Sequence, residues 1–473
     1  MIKNFRQCSC KLNSGLALVS MILVAALWTG CKQQPTELLG KSRLADSEVI
    51  HPEWSRNANI YEVNIRQYTP EGTFLALTRH LPRLKEMGVD ILWLMPVNPI
   101  GELNRKGTLG SYYAIKDYMA VNPEYGTLDD LRLLVNRAHE LGMKVILDWV
   151  ANHTAWDNVL TVDHPEWYKR DTAGNPVSPY DWTDVLQLDY DQKELHDYMI
   201  SAMKYWVTEA DVDGFRCDVA SMVPTEFWNR ARRELDQVKP VFMLAESEKP
   251  ELLVSAFDMD YGWEFHHIMN QVAQGKMNVR NMIGYLRKTD TLYPGNSFRM
   301  YFTSNHDENS WQGTEFERMG DAAPLMAVLS ATVPGMPLIY TGQEACLDKR
   351  LKFFEKDTID WDRNPEYAEF YKILLALKKR NQALWNGNEG GLMELLPVAA
   401  DSVVMVFTRQ KENDRVLCIF NMSAEKQEIN MKNFAYPGNY TEVFTGDEVT
   451  LKKRILFKLE PWDYRIFELS RQE

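Results

Sequence analysis

The chain has 473 residues, more than one ordinary domain but close to the size of a (β/α)8 barrel with small attachments. With 45% hydrophobic, 25% charged and 11% aromatic residues, it is not collagen-like, coiled-coil or disordered. Its 53 basic residues face 66 acidic ones, a net charge of −13, which argues against a nucleic-acid partner, because such binding rests on clustered basic groups.

Residues 1–30 read as a secretory signal. Lys3, Arg6 and Lys11 precede an apolar run from Leu16 to Trp28 that is too short for a membrane span. The run ends at Leu27-Trp28-Thr29-Gly30-Cys31, which resembles the lipobox of bacterial lipoproteins, with Trp28 where that pattern prefers Leu, Val or Ile. Lipidation at Cys31 would hold an otherwise soluble body at a membrane surface of the cell envelope; an ordinary secretory signal with an incidental Cys is the alternative. Removing residues 1–30 takes away three positive charges and no acid, leaving a mature charge of about −16. Residues 31–57 are polar and predict a tether.

From 58 to 387 strands and helices alternate. Asn59–Ile65 is the first strand; a helix over Thr73–Met87, with Phe74, Leu77, Leu81 and Leu84 on one face, stops at Gly88. Asp90–Val97 is a continuous apolar run, as a strand buried on both faces of a parallel sheet requires. The alternation continues through a helix at Leu128–Leu141, strands at Met143–Val150, Val212–Asp218 and Val241–Glu246, and a sixth strand near Phe257–Tyr261. A helix from Trp263 to about Leu286 leads to strands seven (Arg299–Asn305) and eight (Pro337–Thr341), and Tyr367–Arg380 closes the series. The predicted fold is therefore an α/β TIM barrel. Residues 153–191, too long for a simple βα loop, predict a short excursion domain after strand three. From 388 to 473 the pattern turns to period two, predicting a C-terminal all-β sandwich.

In a parallel barrel the chemistry sits at the C-terminal ends of the strands. Those ends read Asp148-Trp149-Val150-Ala151-Asn152-His153, Arg216-Cys217-Asp218, Leu244-Ala245-Glu246 and Asn305-His306-Asp307. Asp218, Glu246 and Asp307 thus share one mouth with Arg216 and two histidines. Two opposed carboxylates are the minimum for cleaving a glycosidic bond, although barrel-mouth acids also bind metals in other enzymes. Arg216 lies two residues from Asp218, on the same side of the strand, and is expected to lower its pKa; the apolar run before Glu246 is expected to raise that of Glu246, as a general acid needs.

These four segments, in order on strands three, four, five and seven, resemble the conserved regions of glycoside hydrolase family 13, the α-amylase family. Gly110–Tyr118, Asn122–Thr127 and Pro334–Glu344 add to the likeness, which covers nearly the whole mature chain. The resemblance implies Asp218 as nucleophile, Glu246 as general acid and base, and Asp307 as transition-state stabiliser. It implies that Arg216 orients Asp218, that His153 and His306 hydrogen-bond the sugar beside the scissile bond with Asn305 next to them, and that Tyr113, or its neighbour Tyr112, stacks on the sugar face. It also implies a retaining hydrolase of α-1,4-glucans or maltooligosaccharides with no organic cofactor. A 4-α-glucanotransferase, an α-glucosidase and a non-catalytic glucan binder are the alternatives, the last disfavoured because all three acids are present. Two departures stand out. Ser221-Met222 replaces the Lys-His that many members carry after the nucleophile, and Asn152 is the one position matching a calcium ligand of the family, so the residues provide little to hold that ion. Trp156, Trp167 and Trp182 either line the cleft or form the core of the excursion domain, and Lys349-Arg350-Leu351-Lys352 reads as a solvated loop.

Overall fold

The computed structural model describes residues 37–471 apart from Arg43; the signal segment and Cys31 lie outside the described residues. Eight parallel strands close into a barrel: β1 Ile60–Val63, β2 Ile91–Leu94, β3 Lys144–Trp149, β4 Gly214–Cys217, β5 Phe242–Ala245, β6 Met259–Tyr261, β7 Phe298–Tyr301 and β8 Met336–Tyr340. Closure is made by β8 on β1, with Tyr340 opposite Glu62.

The period of two along each strand sorts the core into two compartments. Ile60, Ile91, Trp93, Ile146, Phe242, Leu244, Met259, Phe298, Met300 and Leu338 fill the barrel interior. The alternate residues, among them Tyr61, Leu92, Val145, Phe215 and Met243, pack outward against the helices. Gly214 has a steric reason to be glycine: a Cβ there would come within 1.9 Å of the Phe242 carbonyl oxygen across β4 and β5.

Helix Leu128–Glu140 follows its sequence signals, with Thr127 and Asp130 forming a reciprocal cap and Leu131, Leu134, Val135 and Ala138 buried. Two predicted helices are each divided. Thr73–Met87 becomes Phe74–Thr78 and Leu81–Met87, because Pro82 cannot continue the first helix and instead sits in the opening turn of the second. Trp263–Leu286 becomes Trp263–Ala273 and Val279–Leu292, split at Gly275, whose φ of 70° is left-handed, and restarted by the Asn278 cap.

Residues 153–191 hold a two-stranded antiparallel pair, His153–Ala155 with Val185–Gln187, leaving the barrel between β3 and β4. Six strands of the C-terminal region enter a seven-stranded sheet, and a two-stranded sheet, Gln427–Met431 with Ile455–Leu459, packs on one face around Val404, Leu417, Ile419, Ile429, Tyr440 and Phe467. The opposite face, including Met405, Phe407, Cys418 and Ile466, joins the outer core of the barrel.

The expected tether is corrected over its described part. Glu37–Leu39 pairs antiparallel with Leu392–Leu395 and becomes the edge strand of the C-terminal sheet. Beyond it the Gly40 amide donates to the Asp290 carboxylate, the Glu48 amide donates to the Val254 carbonyl at 2.8 Å, and His51 Nδ1 meets Asp258 Oδ1 at 2.7 Å. An unpaired strand edge and buried places for Leu39 and Val49 give this polar segment more than solvent offers it.

Candidate active site

The inward rows of the barrel do not stop at the apolar layer. Ile60 leads to Glu62, Ile91 to Trp93, Ile146 to Asp148, Gly214 to Arg216 and Asp218, Leu244 to Glu246, and Met259 to Tyr261, each two residues further along its strand direction. The polar residues therefore stack as a layer on top of the hydrophobic filling, at the C-terminal mouth.

Arg216 is the hub of that layer. Its Nη1 donates to Asp148 Oδ1 at 2.9 Å and to Asp218 Oδ1 at 3.0 Å, its Nη2 pairs with Glu246 Oε2 at 2.7 Å, and its Nε donates to Tyr261 Oη at 3.1 Å. The indole of Trp93 lies 5.0 Å beneath the guanidinium and donates through Nε1 to Asp148 Oδ2. Glu246 Oε2 also accepts from the Val219 amide at 2.8 Å, so the loop following Asp218 helps to hold Glu246. Asp218 and Glu246 keep 10% and 15% of their side-chain surface and Asp307 38%, whereas Arg216 has none: the acids reach the cleft and the cation does not.

Tyr113 joins this hub to His306. Its hydroxyl donates to Asp148 Oδ2 at 3.0 Å and meets His306 Nε2 at 2.8 Å, and the two rings stack 5.2 Å apart at 22°. Tyr112, the alternative, faces away under the Arg66 guanidinium, 4.1 Å from ring to cation. His306 Nδ1 pairs with buried Glu62 on β1, and its Nε2 is 3.3 Å from Asp307 Oδ2. His153 Nε2 faces Asp218 Oδ2 at 3.9 Å, and its other side is closed by Asn152.

The two histidines are electrostatic opposites. Burial drives His153 down to about 3, so it is neutral near pH 7. Burial also opposes the charge on His306, but Asp307 and Glu62 outweigh it and raise the group to about 9, so it is an imidazolium there. The sequence expectation for Asp218 is corrected: burial pushes its carboxyl well above the ordinary range, Arg216 pulls against this, and Glu246 and Asp148 add to the rise. Arg216 is a shared cation, not a dedicated one. Glu62, Asp148, Asp218, Glu246 and Asp307 bring five carboxyls to two cations, Arg216 and His306, so the acids of the site crowd one another.

Asn305 is fully buried, and its Oδ1 accepts from the Glu308 amide at 2.8 Å, so it shapes the turn that presents Asp307. At Asn152 the carbonyl accepts from the Leu188 amide and the side-chain Nδ2 meets His153 Nδ1, and among the described residues no three His, Cys, Asp or Glu converge as a metal site. The tryptophans of the excursion domain divide: Trp167 is buried against His164, the Trp156 indole donates to the Thr183 carbonyl, and half-buried Trp182 meets His153 edge-on at 5.3 Å. Where the family pattern has Lys-His, the Ser221 carbonyl accepts from Lys249, three residues after Glu246. Lys349 and Arg350 pair with Asp357 and Glu317 in an exposed loop.

Sequence reading missed Glu62, Tyr261 and Phe353 as parts of this layer. The first two were open to detection by counting inward positions in steps of two; Phe353, stacked on Tyr113 at 6.4 Å and 13°, lies in a loop with no such period.

A carboxylate layer on a closed parallel barrel, with three acids opening to one cleft and an arginine beneath them, defines a barrel glycoside hydrolase. Residues 46–184 and 164–392 match the α-amylase catalytic domain, and 393–466 match the maltogenic amylase C-terminal domain; the chain belongs to the α-amylase family. The maltogenic α-amylase AmyB of Thermotoga neapolitana superposes with a TM-score of 0.80 at 34% identity, over 88% of this chain and 99% of that one. An α-amylase of Lactobacillus plantarum gives 0.79 at 34%, over 88% and 100%. The α-amylase MalA of Haloarcula japonica is 27% identical over 80% of this chain, which spans 57% of that relative's length.

Proposed function

We propose that the protein hydrolyses α-1,4-glucosidic bonds of starch-derived glucans or maltooligosaccharides with retention. The observation that carries this is the pairing of Asp218 and Glu246 with the two arms of one guanidinium. Anchored by one guanidinium, the two acids face the same mouth, which supports a route in which one attacks the anomeric carbon while the other handles the proton.

In the first step Asp218 attacks the anomeric carbon, the glycosidic C–O bond breaks, and Glu246 gives its proton to the leaving oxygen. In the second, Glu246 takes a proton from water, the water oxygen bonds to the anomeric carbon, and Asp218 is released. Arg216 holds both acids through the exchange of charge. Asp307, kept beside the imidazolium of His306, faces the sugar hydroxyls at the moment positive charge develops on the ring.

The test is product release over time from a maltooligosaccharide series by wild type and Asp218→Ala. Glucose or maltose from the wild type alone supports the reading, and absence of turnover on every α-glucan refutes it. Oligomers longer than the substrate would replace hydrolysis by transfer.

We further propose that Cys31 carries lipid and anchors the body to the cell envelope, on the strength of the basic, apolar and Gly30-Cys31 pattern. In expressing cells, Cys31→Ser should move the protein from the membrane fraction to the soluble one; a wild type already soluble would defeat the proposal.

A further inference from the structure

Trp311 lies four residues beyond Asp307, in the π-helical turn Glu308–Gln312, and 49% of it is exposed. Burying an aromatic surface of this size would stabilise the fold, so holding half of it in water needs a reason. The turn is not loose. Asn309 is buried, its Nδ2 donating to the Lys349 carbonyl at 3.1 Å and its Oδ1 accepting from the Leu351 amide at 2.8 Å, and the Ser310 hydroxyl donates to the Leu351 carbonyl. The loop it grips is fixed in turn by Gln67, which donates to the carbonyls of Lys352 and Glu355 at 2.9 and 2.7 Å. Trp311 is therefore held out of the core by buried hydrogen bonds. Short π-helical turns of this kind are frequent at functional sites.

Its surroundings point to what it meets. Trp311 packs on Phe353 with ring centroids 5.1 Å apart; Phe353 stacks on Tyr113; Tyr113 stacks on His306 beside Asp307. The rings form one continuous path from the catalytic acids to the rim, and Trp311 is its exposed end. We propose that Trp311 is a sugar-stacking platform for a glucan unit beyond the one at the reacting carbon, so that the enzyme favours chains long enough to reach it. A pyranose presents a flat C–H face between hydroxyl edges, and an aromatic ring offers the matching apolar surface while leaving those hydroxyls in water. This rests on the α-glucan reading above.

The experiment measures kcat and KM along a maltooligosaccharide series for wild type, Trp311→Ala and Trp311→Phe, and calorimetric binding of maltohexaose to Asp218→Asn with and without Trp311→Ala. Trp311→Ala should raise KM for maltohexaose about tenfold with kcat little changed, should leave the shortest cleaved oligosaccharide nearly unaffected, and should weaken maltohexaose binding by a similar factor; Trp311→Phe should restore most of it. Loss by one common factor at every length would mark a structural role and overturn the platform, as would no loss at all. If the wild type cleaves no α-glucan, the hydrolase reading fails alone when binding still depends on Trp311, and both fail when it does not.

Discussion

Two buried arginines make a natural comparison. Arg216, inside the barrel mouth, holds Asp148, Asp218, Glu246 and the Tyr261 hydroxyl; Arg299, on β7 and facing the helices, holds Asp260, Glu248 at 3.0 Å, the Tyr285 hydroxyl at 2.8 Å and the Tyr261 carbonyl at 2.7 Å. Tyr261 touches both. The lists are nearly the same chemistry, yet one is a reactive centre and the other a clasp. The difference is where the acids end. Asp218 and Glu246 reach from Arg216 to the barrel mouth, where charge can develop and move, while on the outer side of the barrel Asp260 is sealed with Arg299 and Glu248 reaches the surface away from that layer. A buried ion pair contributes little net stability when intact and costs a good deal when half of it is removed, so the two clusters should respond oppositely to substitution.

The largest expected effect is at the mouth. Asp218→Ala should lower kcat by roughly 10⁴-fold or more, leaving the melting temperature at or slightly above that of wild type, because removing one of several crowded acids relieves repulsion. At the clasp, Arg299→Met should cost about 3–5 kcal/mol in denaturant unfolding, since Asp260 is left buried without its cation, while kcat of the folded fraction stays near wild type. If Arg299→Met abolished turnover at full stability, the two clusters would be one functional unit and the comparison would fail.

The histidines sharpen it through pH. His306 has its folded pKa raised to about 9 from an ordinary 6.5, so its contribution to stability is fully present below 6.5 and is lost as pH rises through 9. His153 is depressed to about 3, so the fold binds fewer protons than the unfolded chain between 3 and 6.5, and stability falls as pH drops through that window. Unfolding free energies measured from pH 4 to 10 should therefore lose their alkaline slope in His306→Asn and part of their acid slope in His153→Gln. Identical slopes in wild type and both variants would contradict the charges assigned to the two rings.

Much of this was legible in the sequence because it depends on local period. Strand and helix order, the three acids, Arg216 and the excursion follow from alternation and from position at strand ends. What was not legible depends on closure. Glu62 is a lone acid in an apolar strand until the barrel brings His306 to it from 244 residues away. Asn305 belongs to a recognisable motif, but only the buried turn that it caps shows that it supports Asp307. The polar segment before the barrel looked like a tether because its partner strand, Leu392–Leu395, lies at the far end of the chain. The expected ionisation of Asp218 took one neighbour into account; burial, with three further carboxyls adding to it, changed the direction.

The smallest expected effect separates two adjacent tyrosines. Tyr113→Phe removes the hydroxyl that donates to Asp148 and meets His306, leaving two charged groups each short of a partner; a loss of about 1–2 kcal/mol in transition-state stabilisation, roughly tenfold in kcat/KM, should follow with little change in KM. Tyr112→Phe removes a hydroxyl whose contact with Gln67 is a long 3.4 Å, and its ring stays beneath Arg66, so both stability and kcat/KM should stay close to wild type. Steady-state kinetics on one substrate for both variants decides the matter. The reverse outcome, with Tyr112→Phe impaired and Tyr113→Phe intact, would mean that the hydroxyl joining Asp148 to His306 is not part of the working site, and that the ring path from His306 to Trp311 does not run through Tyr113.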